Sequence, residues 1–417
     1  MKLDDSQRKA ICSVFQNKLT VITGAGGSGK TTICRFIYEI AQKKRLTVRM
    51  MSPTGKASQI LSEKTGCPAT TIHRGLKLLP GNDFPKEDID EDILLIDEIS
   101  MAGLDTVFAI MKALEENKWC HIVLVGDKNQ LPSVSPGNFL NDILKSNCAN
   151  IVVLDKIHRQ DDKSFIPLVA KEISDGNSTT IPVGASDIKW KHLNVDKVEQ
   201  DLVKFVDKYL DSGNKIDDLQ IMSPMKKGRC GVYKLNSAMQ EKMAIVNNTA
   251  DQHLILPFGK FYVGDRIIQT VNNYDKMIFN GDMGVVVDVG EKIANSKASD
   301  KKERFITVQF YGSEELTFWG EEIEQIILAW VITVHKFQGS QAKNIIFMMA
   351  SEAQVLMSKE LVYTAFTRAE KKLVIFGHEQ MLRYAPTKSV IRKRFTNFNV
   401  IIDSIVNNGK GLTVLGA

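Results

Sequence analysis

The stretch GAGGSGKTT, residues 24–32, carries the residue types that bind a polyphosphate. Gly24, Ala25, Gly26, Gly27, Ser28 and Gly29 keep the backbone unobstructed, so successive N–H groups can wrap phosphate oxygens at a helix start. Lys30 then reaches the β- and γ-phosphates, and the hydroxyl of Thr31, with Thr32 beside it, can ligate Mg²⁺. The ligands this pattern predicts are ATP and Mg²⁺. Phosphoryl transfer also needs acids nearby. DILLIDEISM ends an apolar run, Ile93 to Ile96, in Asp97-Glu98; Asp97 would hold the metal through water, and Glu98 would polarise the attacking water. A third run, HIVLVGDKNQLPSV, ends in Gly126-Asp127 with Gln130 just beyond. Gln130 can sense a γ-phosphate, although a capped turn of Asp, Asn and Pro accounts for the same letters.

These groups require a buried parallel sheet whose strands end at one edge. The β-branched run Leu19 to Thr23 predicts a strand, and Ile33, Phe36, Ile37 and Ile40 return at helical spacing after the glycine loop. Past residue 155, DDLQIMSPM, AKNIIFMMA and KKLVIFG read as further parallel strands separated by helical stretches, a second α/β domain without a phosphate loop. Within it, alternating residues and Asn-Gly and Gly-Asp turns mark a small antiparallel barrel, with the polar stretch EKIANSKASDKKER as a mobile hairpin tip. The expected division is 1–154 for the first domain, with an insertion at 74–92; 155–254 plus 326–417 for the second; and 255–325 for the barrel.

Composition sets the outer bounds. The chain has 417 residues, 43% hydrophobic and 25% charged, which is ordinary globular usage with length for two or three cores. No apolar run approaches the ~18 residues needed to span a bilayer, and MKLDDSQRKAIC is no signal peptide, so the expectation is a cytoplasmic protein with no membrane partner. Six cysteines without a C-x-x-C pair argue against a zinc site and a disulfide framework. A net charge of +5 is compatible with a polyanionic partner without establishing one.

The ordered series GAGGSGKTT, MSPTGKAS, TTIHRGL, LLIDEISM, LVGDKNQLPSV, LDKIHRQ, SPMKKGRCG, VITVHKFQGSQ and VYTAFTRA resembles the motifs of superfamily 1 helicases in their RecD-like branch, of which the phage Dda helicase is a smaller relative. The likeness runs from Gln7 to about Gly377. It implies an α/β fold of two RecA-like P-loop motor domains with an SH3-like barrel insertion and, at residues 74–92, a short hairpin that splits duplex DNA. Phe84 in that insertion would stack on a base, or else a short loop buries it. The resemblance further implies that Gln7 reads the adenine edge, that His158 lies near the adenine where relatives often carry Tyr or Phe, and that Gly339 and Gln341 lie near the ribose, Gln341 replacing an acid. Arg159 and Arg368 would face the γ-phosphate as fingers; a surface guanidinium is the plain alternative for Arg368. Thr54, Lys56, His73 and Lys336 would line a single-strand groove, contacting phosphates without reading bases. Gly75 stands where a leucine is usual and would loosen its turn. The implied activity is an ATP-dependent DNA helicase or translocase, a monomeric motor moving 5′ to 3′ on single-stranded DNA and at single-strand/duplex junctions. Two rivals stay open: an ATP-switched clamp or accessory subunit, and an RNA-directed motor.

Overall fold

Neighbouring residues of a strand point to opposite faces, so a strand buried on both sides reads as an unbroken apolar run. The computed structural model describes residues 3–79, 84–156, 164–273, 275–293, 302–311, 314–391, 394, 396 and 398–407. In it β1 (Leu19–Gly24), β2 (Val48–Ser52), β3 (Ala69–Thr71), β4 (Ile93–Ile96), β5 (His121–Gly126) and β6 (Asn150–Leu154) form a parallel sheet in the order β3-β2-β4-β5-β1-β6. Ile22, Met50, Ile93, Leu95 and Val123 share one core with Ala10, Val14, Ile33, Ile37 and Leu61 from the helices Asp5–Gln16, Lys30–Lys43 and Gly55–Thr65. Their chain neighbours Val21, Met51, Leu94, Ile96 and Leu124 face the other way, into a core with Val107, Ile110, Leu140 and Ile143 of the helices Leu104–Ala113 and Phe139–Lys145. Each such side chain stabilises the fold by roughly 1.5–3 kcal/mol, so the layering is set by the strands' two-faced apolar pattern. With every strand parallel, the loops that follow β1, β4 and β5 leave the same edge.

Contacts group the chain into two units, Met1–Thr179 with Ser358–Thr367 and Pro386–Ala417, and Thr180–Met357 with Arg368–Ala385. The expected boundaries at 154/155 and 326–417 differ from this grouping. Helix Ile166–Asp175 packs on helix Lys359–Thr367 inside the first unit. The segment after residue 386 returns to the same unit: Phe398 lies 5.6 Å from Phe139, the Thr396 hydroxyl donates to Asp142 at 3.0 Å, and the Arg394 guanidinium donates to the carbonyls of Ser135 and Gly137.

The second unit contains β7 (Ile188–His192) and β8 (Leu219–Ser223), then an antiparallel excursion, and then β16 (Val331–Thr333), β17 (Ala342–Met349) and β18 (Ala369–Gly377). Its parallel sheet has the order β16-β8-β17-β18-β7. The excursion comprises the hairpin β9 (His253–Leu256) and β10 (Gly259–Tyr262), followed by β11 (Arg266–Gln269), β12 (Met283–Ile293), β13 (Lys302–Phe310), β14 (Glu315–Trp319) and β15 (Ile326–Leu328) in the order β14-β13-β12-β11-β15 around a core of Phe261, Ile267, Ile306, Val308 and Phe318. The expected barrel is therefore present, its β12–β13 hairpin paired out to Ile293 and Lys302; residues 294–301 of the expected mobile tip lie outside the described residues.

One buried carboxylate fastens this barrel to the parallel part of its own unit. Asp265 accepts hydrogen bonds from the Gln240 amide (2.5 Å), the Tyr262 N–H (2.8 Å) and the Trp330 indole (3.0 Å). Burial pushes its pKa up to about 6, against the pull of those three donors. Arg266 beside it donates to the Leu219 carbonyl at 2.8 Å and to Asp217 at 2.9 Å, with its guanidinium over the Trp330 ring. Among the described residues no helix is long and apolar enough to cross a membrane, and the six cysteines are free thiols.

Candidate functional site

The glycine loop runs from the end of β1 into the helix Lys30–Lys43. Gly27 and Gly29 both have φ of 86°, in the left-handed region that favours glycine, and Gly29 is the residue from which the helix starts. Space is as restrictive as conformation here. A Cβ at Gly29 would lie 2.7 Å from the Gln7 amide nitrogen, and one at Gly26 would lie 2.9 Å from the Thr367 Cβ. The Lys30 ammonium donates to the carbonyls of Gly24 (2.7 Å) and Ala25 (3.0 Å), bonds it would exchange to reach a phosphate. Thr31 and Thr32 follow in the first helical turn, both half-buried.

Gln7 is buried, and both ends of its amide are in use. Its carbonyl oxygen accepts from the Asp4 N–H (3.2 Å) in a capping box, and its nitrogen donates to the Ser28 carbonyl at 3.3 Å. The residue expected to read adenine thus braces the glycine loop.

Asp97 and Glu98 follow β4 directly. Asp97 is buried, its carboxylate accepting from the Glu98 N–H at 2.8 Å, and its pKa is pushed up to about 7 by burial first and by Glu98 second, with Lys30 pulling the other way. Glu98 has φ 55°, a left-handed conformation costing a non-glycine residue on the order of 1–3 kcal/mol, and such strain concentrates at functional positions. A threonine hydroxyl at a helix start and a buried carboxylate are hard oxygen donors that suit Mg²⁺. Groups of three or more His, Cys, Asp or Glu able to hold a metal do not occur among the described residues.

Just beyond β5, Gln130 is buried, and its amide lies 3.5 Å from the Asp127 carboxylate. Asp127, 1% exposed, also accepts from the Asn129 N–H (3.0 Å) and from the Tyr363 hydroxyl (2.7 Å). Tyr363 in turn accepts from the Gly26 N–H at 3.3 Å, and the Thr364 hydroxyl accepts from the Leu131 N–H at 2.9 Å. Sequence reasoning missed Asp127, Tyr363, Thr364 and Thr367 as parts of this site. The only signal available was the placement of Asp127 at a strand end and the i, i+4 spacing of Tyr363 and Thr367.

Other expected positions divide. Thr54 caps the helix Gly55–Thr65, its hydroxyl accepting from the Ala57 N–H at 3.3 Å, and the Lys56 ammonium donates to Gln59. His73 is half-buried in the short helix Ile72–Gly75. Gly75 is tightly packed: a Cβ there would lie 2.8 Å from the Met51 methyl, so the expected loosening of the turn does not occur. The 74–92 insertion closes on itself through the Lys86 N–H to the Leu76 carbonyl (3.0 Å) and the Lys77–Glu87 ion pair. Phe84 is 60% exposed, its ring edge-on to Phe108 at 5.8 Å. It is therefore not buried in the domain.

In the second unit, Lys336 is half-buried, and burial together with Lys226 holds its ammonium below the usual lysine range. Two cations drawn together in this way suit a shared anion, and Lys226, from the SPMKK stretch, is a further residue the sequence reading passed over. Gly339 has φ 75° and Gln341 is exposed. Arg368 is 2% exposed and donates to the Ser340 carbonyl at 3.2 Å, which rules out the surface guanidinium. His158 and Arg159 lie outside the described residues.

Three family models match the chain in succession: an AAA domain over residues 2–190, the SH3 domain of ATP-dependent RecD-like DNA helicases over 235–310, and the UvrD-like helicase C-terminal domain over 328–376. The ATP-dependent RecD2 DNA helicase of Deinococcus radiodurans is 30% identical over 90% of this chain and 49% of its own length. The RecBCD enzyme subunit RecD of Mycolicibacterium smegmatis is 27% identical over 93% of this chain and 73% of its own. The chain spans about half the length of the RecD2 relative. Among solved structures, Pif1 helicases at forked duplex DNA share the fold with a TM-score of 0.56 at 21% identity, over 99% of this chain and 98% of theirs. Bacteroides Pif1 bound to single-stranded DNA gives 0.54 at 19%, with the same coverage.

Proposed function

We infer from the three successive family models and the RecD2 relative that the chain belongs to the RecD-like helicase family, and we propose that it is an ATP-hydrolysing DNA helicase that moves 5′ to 3′ along single-stranded DNA and opens duplex ahead of it. The observation that carries this reading is the edge of the first sheet, where Lys30 on its glycine loop, buried Asp97 and strained Glu98 leave adjacent strand ends. Thr31 and Asp97 would hold Mg²⁺, which when bound neutralises charge on the β- and γ-phosphates. Lys30 steadies the same phosphates, Glu98 orients the attacking water, and Gln130 registers whether the γ-phosphate is present. Arg368 supplies a guanidinium that makes hydrolysis conditional on closure of the two motor domains, with Arg159 as its companion. Alternating grip on the strand, through Lys336 and the groove residues Thr54, Lys56 and His73, converts closure into steps. Phe84 is the aromatic available to stack at the junction.

The test is strand displacement with ATP on duplexes carrying a 5′ or a 3′ single-stranded tail, with Lys30→Ala as the control. The expected result is displacement from the 5′ tail alone, abolished in the variant. Displacement from the 3′ tail alone refutes the polarity, and hydrolysis retained by Lys30→Ala refutes the nucleotide site. The likeness to RecD chains named as subunits of the RecBCD enzyme favours a second reading, an accessory subunit. Displacement by the isolated chain decides against it.

A further inference from the structure

The helix Lys359–Thr367 does more in the first unit than lead to Arg368. Three of its residues, within five positions, reach two separate loops of the candidate site. Tyr363, 1% exposed, places its hydroxyl between the phosphate loop and the turn after β5, accepting from the Gly26 N–H at 3.3 Å and donating to Asp127 at 2.7 Å. The second distance is that of a well-formed O–H···O bond. One turn on, the Thr367 Cβ lies so near Gly26 that only glycine fits there. Thr364 accepts from the Leu131 N–H, the residue after Gln130. A tyrosine hydroxyl with both lone pair and proton committed across two loops is a strut: neither loop can shift without straining a buried bond.

Asp127 adds the chemical content. Its carboxylate oxygen that accepts from the Tyr363 hydroxyl also lies 3.5 Å from the Gln130 amide nitrogen. Gln130 keeps its amide oxygen buried without a hydrogen-bond partner among the described residues. Loss of the Tyr363 hydroxyl would leave Asp127 to draw on Gln130 instead, turning that amide away from the direction the site needs.

We propose that Tyr363 is a positioning residue for phosphoryl transfer, its hydroxyl holding the phosphate loop and the Asp127–Gln130 turn in one register so that Gln130 is aimed at the reacting phosphate. This rests on the reading of the glycine loop as a hydrolytic ATP site. The strut acts on the transition state more than on ground-state binding, because it aims an amide and supplies no binding group of its own.

The experiment is steady-state ATP hydrolysis with saturating single-stranded DNA for the parent, Tyr363→Phe, Gln130→Ala and the double variant, with thermal melting of each. Tyr363→Phe keeps the buried ring and removes one oxygen. The expected result is a roughly 10–100-fold fall in kcat with KM for ATP within about twofold of the parent. The double variant is expected to match Gln130→Ala alone, because the hydroxyl acts through that amide. A purely structural role would lower the melting temperature and leave the two effects multiplicative. Should Tyr363→Phe fail to fold, Thr364→Val removes the other hydroxyl tie and is expected to show the same split between kcat and KM. A folded Tyr363→Phe with parental kcat, or losses that multiply in the double variant, overturns the proposal while the ATP site stands. A parent that hydrolyses no ATP sinks the ATP site itself, and the proposal with it.

Discussion

Two buried aspartates, one in each unit, differ in what surrounds them. Asp265, at the foot of the barrel, receives three hydrogen bonds, from a helix glutamine, a strand N–H and an indole, and its environment is filled. Asp97, at the end of β4, takes the Glu98 N–H, has a second acid as its neighbour, and its proton affinity is raised further, to about 7. Burial is common to both. What separates a fastening from a reactive group is whether fixed donors consume the carboxylate's lone pairs or leave capacity for an exchangeable cation. The carboxylate that is less completely satisfied is the one placed beside Lys30.

That contrast would be broken most severely if the chemistry depended on the first unit alone. Arg368→Ala tests this, since the residue belongs to the second unit. Turnover with DNA present is expected to fall by ~10³–10⁵ with ATP affinity little changed, and Arg368→Lys is expected to restore little, because a point charge lacks the planar fork. Parental turnover in the alanine variant would confine catalysis to the first unit's edge. Next in size, Asp97→Asn is expected to cost ~10²–10³ in turnover while leaving the melting temperature equal or higher, since the buried acid next to Glu98 is gone. A folded Asp97→Asn variant with parental activity would make Asp97 another fastening.

Asp265 carries the smallest effect on rate and a defined one on stability. Its folded carboxyl binds a proton more tightly than the unfolded value of 3.8, with a pKa of about 6. This contribution is therefore fully present below about pH 4 and lost as pH rises through about 6, a difference of up to about 3 kcal/mol. Asp265→Asn is expected to flatten that part of the urea-unfolding profile between about pH 4 and 7 and to destabilise at about pH 4 by about 1–3 kcal/mol, since an amide nitrogen must face one of three donors. ATP turnover at about pH 8 is expected to stay within about twofold of the parent. A pH profile unchanged by the substitution would remove the contrast from the other side.

How much of this could be read from the sequence depends on chain distance. The glycine turn from β1 into its helix was legible because its glycines, lysine and threonine are contiguous and each has a local physical reason. Asp97 and Glu98 were legible because a strand buried on both faces announces its own end. The barrel showed through its turns. What stayed hidden comes from partners far apart: Tyr363 meets Asp127 across 236 positions, and Trp330 meets Asp265 across 65. Nothing local in VYTAFTRA distinguishes a strut from a core tyrosine. Thr54 shows the opposite case, a local role that can be read without any distant partner. SPTGKAS contains a complete helix-capping signal, and that local role is the one its hydroxyl performs here. Gly75 likewise is a close approach to Met51, legible only once both are in space.

The first unit is assembled from three lengths of chain, and this sets a schedule for its manufacture. Arg394 closes over the loop at Ser133 from 261 residues downstream, and at ~5–20 residues per second a ribosome needs roughly 10–50 s to cover that interval. For most of that time, once β6 has followed the first five strands, the six strands stand without the helix and tail that complete them. The barrel region, continuous in sequence from β9 to β15, has a shorter wait, its longest strand pairing, Ile267 of β11 with Leu328 of β15, spanning 328 − 267 = 61 positions. The first unit is thus expected to mature after a domain encoded later than its own sheet, and a stalled chain ending near residue 355 would carry a folded barrel and an incomplete first unit.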